Sequence, residues 1–157
     1  MRKRTVAACV SAIGAAGAVA VGTTVAASAA PQAQTQYIRF LSTDVTGNGP
    51  TYVIANGPIH ARGTDKQLNA HKDLLVFRGG GVVVRHKAVS RHHSYDPRTC
   101  YGRQTESGTY TVIGGDGKYA NASGHGVYRL VVQFIGCNMN NTKLFMLQIQ
   151  AHGPMSI

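Results

Sequence analysis

The chain has no tryptophan, one glutamate (Glu106) and only six carboxylates in 157 residues, against 16 Lys and Arg. With so few acids, paired-carboxylate glycosidase chemistry would have to be built from Asp44, Asp65, Asp73 and Asp96. All four sit in turn-like settings, where aspartate serves the backbone. No G-x-S-x-G elbow is present, and Asn121-Ala122-Ser123-Gly124 does not supply one. No helical periodicity runs for a dozen residues, and nothing repeats at a period of 20–50, which excludes a helical bundle and a solenoid. Basic residues are dispersed, without a block of five or six and without interleaved aromatics, so nucleic acid is not an expected partner. The seven histidines follow no known metal-ligand spacing. His92 and His93 are adjacent and would point to opposite faces of a strand, and the segment 90–95 reads as a loop. His60 and His86 could meet across a sheet. No metal and no cofactor is expected.

What is present starts with the N-terminus. Arg2, Lys3 and Arg4 precede an uncharged run of mostly Ala, Val and Gly, and Ala27-Ser28-Ala29 has the small-x-small form of a cleavage site. Residues 1–29 read as a secretion signal, cut after Ala29. A membrane anchor is the competing reading, since the run is long enough to span a bilayer. Val6-Ala7-Ala8-Cys9 lies too near the start to act as a lipoprotein box. The expected product is secreted and extracellular, with no membrane span after processing. Residues 30–36 read as a disordered lead and 37–157 as one domain. The cut removes three basic residues and Cys9, leaving a basic chain with two cysteines, Cys100 and Cys137. In an oxidising compartment these are expected to pair.

From Tyr37 onward, short apolar runs are broken by Gly, Asn, Asp and Pro. The strand-like segments are 38–41, 51–55, 58–62, 74–77, 82–89, 99–105, 108–113, 127–135 and 144–151. Only 64–72 suggests a short helical turn. Alternation assigns faces. Val82, Val84, His86 and Ala88 share one face, opposite Arg85 and Lys87. Tyr128, Leu130, Val132 and Phe134 form a wholly apolar face, opposite Arg129 and Gln133. About eight strands with short turns predict an all-β fold: a single eight-stranded antiparallel up-and-down barrel, with a β-sandwich as the alternative. Such a barrel is filled by side chains or holds one small ligand.

The densest motif is Gly114-Gly115-Asp116-Gly117-Lys118-Tyr119-Ala120-Asn121-Ala122-Ser123-Gly124-His125-Gly126. Gly114, Gly115 and Gly117 permit positive φ in a tight turn. Gly124 and Gly126 suggest a bend or a close backbone approach. No helix pattern follows, so a phosphate loop is not indicated. At these residues the chain resembles the allene oxide cyclase-like barrel superfamily, which includes the dirigent proteins. The shared pattern is a strand ending in Gly-Gly-x-Gly, an aromatic residue and a small-residue turn into the next strand. Asp116 stands where that family usually has a hydroxyl residue. A weaker likeness to small secreted bacterial members runs through residues 57–65 and the strand pair 77–86. The resemblance implies an eight-stranded barrel with an apolar central cavity, often in homo-oligomers. Its members steer a cyclisation or the coupling of phenoxy radicals. Their pocket residues do not map onto this chain one by one, so catalytic residues stay unknown.

The expected ligand-contacting residues are His86, Tyr128, Leu130, Val132 and Phe134, lining the barrel. The plain alternative for His86 is a core-edge histidine bonded to a neighbour. Three functions fit. The first is a secreted barrel binding a small apolar or aromatic molecule, either without chemistry of its own or with dirigent-like steering. The second is a structural or interaction protein whose basic exterior meets an anionic envelope surface. The third is a cyclase- or isomerase-type enzyme.

Overall fold

The computed structural model describes residues 32–45, 49–137 and 142–157. Eight strands follow one another: β1 (Gln34–Ser42), β2 (Thr51–Asn56), β3 (Ala61–Asn69), β4 (Lys72–Phe77), β5 (Gly80–Asp96), β6 (Tyr101–Gly115), β7 (Ser123–Ile135) and β8 (Leu144–Ser156). Each pairs antiparallel with the next, and β1 pairs with β8, closing an up-and-down barrel. The described residues are therefore all-β, and where the barrel is closed no sheet edge is left free. The expected signal segment 1–29 lies outside the described residues.

Several local expectations are corrected. The segments 99–105 and 108–113 are one strand, β6. The Glu106-Ser107-Gly108 break between them is absorbed by a register shift opposite, between Ala88 and Ser90 of β5. The expected loop 90–95 belongs to β5, with His92 facing Thr105 and His93 facing Gln104. The segment 58–62 contributes only its end to β3. The helical candidate 64–72 becomes β3, the turn at Ala70-His71 and the start of β4, because pairing on both sides outweighs local propensity. The expected disordered lead already enters the barrel at Gln34. Within it Gln36 is wholly buried, its side chain bridging to Ile59 through Nε2 to the carbonyl at 3.1 Å and Oε1 from the N–H at 2.8 Å.

The strands differ in length, and this sets where the interior ends. β2 and β4 have 6 residues each, whereas β5 has 17, β6 15, and β7 and β8 13 each. One end of the barrel is closed by packed side chains including Val82, Phe77, Ile59, Tyr119 and Met155. Beyond the other end, β5–β8 continue as a four-stranded wall. Its tip is pinned by the Cys100–Cys137 disulfide, whose Cα atoms are 4.7 Å apart.

The glycine motif builds the closed end. Gly117 has φ +54°, a left-handed conformation that a β-branched side chain disfavours strongly. Gly114 and Gly115 instead end β6 without positive φ, contrary to expectation. The turn is tied to the β4–β5 hairpin. Asp116 Oδ1 accepts from the Gly81 N–H, and the Lys118 N–H donates to the Gly79 carbonyl at 2.8 Å. Tyr119 then buries its ring edge-on against Phe77, with centroids 5.8 Å apart. Farther on, a Cβ on Gly126 would overlap the His152 carbonyl oxygen, the close approach expected there.

Candidate functional site

In a barrel strand every second residue faces inward, and cross-strand partners share a face. Through the registers Tyr128↔Ala151↔Ile38 and Leu130↔Ile149↔Phe40, β7, β8 and β1 present an apolar wall. Asp73↔Val84 and His86↔Tyr110 set polar atoms into the same interior from β4, β5 and β6. These residues, with Leu75 and Glu106, enclose a cavity of about 80 Å³. Asp73, His86, Leu130 and Ile149 also line a wider mouth of about 350 Å³, where Ser42, Asp44, Thr51, Asp65 and Gln67 form the rim. The interior is thus open at one end, apolar below and polar above.

Two paired groups organise the polar side. His86 Nε2 lies 3.3 Å from Asp73 Oδ2, and its ring meets Tyr128 edge-on at a centroid separation of 6.0 Å. On the facing wall the Tyr128 hydroxyl donates to Glu106 Oε1 at 2.6 Å. Arg91 Nε donates to Glu106 Oε2 at 2.7 Å. Burial pushes the Glu106 carboxyl up, but the hydrogen bonds from Tyr128 and Arg91 and the Arg91 charge hold it below the ordinary range. The Tyr128 phenol is raised by burial and by that same carboxylate.

Two other groups lack such support. Asp65 Oδ1 is buried with no hydrogen-bond partner among the described residues, and burial, with Asp73 nearby, raises the Asp65 carboxyl to about 7. Asp73 is also raised by burial, with His86 pulling the other way. Tyr110 lines the cavity and is only 5% exposed, and its buried hydroxyl has no partner among the described residues.

Of the five residues expected to line the interior, His86, Tyr128 and Leu130 do so. His86 fits both of its readings, since it faces the cavity and is paired with Asp73. Val132 and Phe134 share the face of Leu130 but rise past the rim on the β5–β8 wall. There Phe134 stacks on Tyr95 at 6.4 Å. Parity assigned their face correctly, but the barrel ends below them because β2 and β4 are short. Ala88 is exposed, displaced at the β5 register shift. His60 sits in the β2–β3 connection, its Nδ1 2.8 Å from Asn56 Oδ1, and does not join His86. No group of three or more metal-ligating side chains is gathered among the described residues.

Asp65, Asp73, Glu106 and Tyr110 are interior groups that the sequence reading does not name as such, and Glu106 is held by the exposed Arg91. Asp65 and Asp73 were expected in turns, yet both lie in strands facing inward. Asp96 keeps its turn role, accepting from Arg98 N at 2.9 Å and from the Thr99 hydroxyl at 2.9 Å. Glu106 was recoverable, since it shares parity with Tyr110 and Val112 on β6. Comparison of the chain with family models, with characterised proteins and with solved structures gives no match.

Proposed function

We propose that the protein is a secreted barrel that binds one small apolar or aromatic molecule at its open end. The observation that carries this reading is a mostly apolar cavity into which a few polar groups converge, the usual composition of a small-molecule site. Secretion is supported by Ala27-Ser28-Ala29 and by the Cys100–Cys137 pair, which suits an oxidising compartment. The resemblance to the allene oxide cyclase-like superfamily accords with holding a molecule in one shape. An environment-sensitive apolar dye should bind the folded protein at about one site per chain. Leu130→Trp, which adds bulk inside the cavity, should abolish binding with the β signature intact. A folded protein that takes up no apolar probe overturns the proposal.

One observation favours a second reading, attachment to an anionic envelope surface. Four of the six carboxylates (Asp44, Asp65, Asp73 and Glu106) line the interior and its mouth. The outer wall is left to exposed cations such as Arg39, Arg62, Arg85, Lys87 and Arg129. Retention on anionic cell-wall polymer that falls steeply as salt rises would support it, since exposed charges are screened within about 10 Å at 0.1 M.

A further inference from the structure

The same inward placement of carboxylates bears on what the pocket holds. Resting on the ligand-binding reading above, we infer that its occupant carries a protonated amine on a compact apolar body, with the ammonium at the Asp65–Asp73 edge of the cavity. Asp65 and Asp73 face inward from neighbouring strands, and one imidazole, His86, is the basic group beside them. No lysine or arginine lines the cavity or its mouth. The Arg91 guanidinium is committed to Glu106. The side is therefore one cation short. A buried acceptor without a partner is costly, and Asp65 Oδ1 is one.

A second, independent feature points the same way. Tyr110, more than nine-tenths buried, lines the inner cavity that Asp73 and His86 share with the mouth, and its hydroxyl has no partner among the described residues. An ammonium offers three donors and no acceptor, which matches carboxylate and hydroxyl oxygens together. The Phe40 and Tyr128 rings in the lining favour a cation near their faces. A carboxylate ligand would add a third negative charge to this edge. A neutral alcohol would leave the charge of the carboxylates unanswered.

The test is a matched series on the purified wild-type protein, titrated by calorimetry at about pH 8, above the value near 7 of the Asp65 carboxyl. The probes are 2-phenylethylamine, 2-phenylethanol and 3-phenylpropanoate. The amine should bind about tenfold more tightly than the alcohol, the scale expected of one opposite charge in a partly buried site. The carboxylate should bind weakest. Asp65→Asn should lower the affinity for the amine about tenfold and so remove its preference over the alcohol. If alcohol and amine bind equally, or the carboxylate binds best, the inference falls and the apolar-pocket reading stands. If none of the three binds, both fall.

Discussion

At the closed end of the barrel, Gln36 is wholly buried, and its amide donates to and accepts from the Ile59 backbone. At the open end, Asp65 and Tyr110 each bury a polar atom with no partner among the described residues. The two ends therefore use polarity differently. Below, each bond replaces one to water and fixes the entry of β1 against the β2–β3 connection. Above, unsatisfied groups persist where a cavity opens, at a cost to the fold that packing elsewhere must offset. Where a protein leaves buried oxygens unpaired beside empty space, the gap has the form of a binding requirement rather than of a packing requirement.

The largest expected effect tests whether the open end depends on its wall. Replacing Cys100 and Cys137 together by Ser should lower stability by about 4 kcal/mol for the 37-residue separation. Hydrogen exchange should then quicken along the β5–β8 wall while the glycine turn around Gly117 stays protected. Uniform loosening of both ends would show that the wall and the closed end form a single cooperative unit.

Gln36→Leu addresses the closed end. It removes the side-chain bonds to the Tyr37 and Ile59 carbonyls and the one from the Ile59 N–H, which should cost about 3 kcal/mol in urea unfolding. A change under about 1 kcal/mol would mean that the closed end tolerates unpaired groups as the mouth does.

The smallest effects separate two carboxylates of the same interior by sign. Asp65 has its folded value raised to about 7 from 3.8, so the stability it contributes is complete below about 3.8 and is lost as pH rises through 7. Asp65→Asn should thus match the wild type in acid and exceed it at about pH 8. Glu106 is held below its ordinary value, so its contribution is present at neutral pH and lost in acid. Glu106→Gln should weaken the protein at neutral pH, with the deficit shrinking as pH falls. Chemical denaturation at two pH values reads both, and the same sign for the two variants would erase the distinction drawn between them.

Much of this architecture was legible from alternation alone. The face of β7, the inward Val82, Val84 and His86, and the pairing of two cysteines needed only parity and compartment. What failed depended on neighbours. Thr64 to Lys72 carries residues that tolerate a helix, and only pairing with β2 and β4 makes 64–69 a strand. Asp65 and Asp73 read as turn residues because aspartate is depleted from strands. Their inward placement becomes visible only once Asp65 is seen opposite Leu75 and Asp73 opposite Val84. For Val132 and Phe134 the face was right and the depth was not. No local pattern in β7 encodes how short β2 and β4 are.

That inequality of strand length gives the mouth a direction. A rim cut level would admit a molecule equally from all sides. Here the low sill lies along β2–β4, and a tall back wall, carrying Val132, Phe134, Phe145 and Leu147 on the side that faces the mouth, stands along β5–β8. Anything entering meets the wall as an apolar slide and passes the sill at Asp65 and Asp73. For a ligand of the kind proposed, charge would be sorted at this doorway before shape is sorted in the cavity.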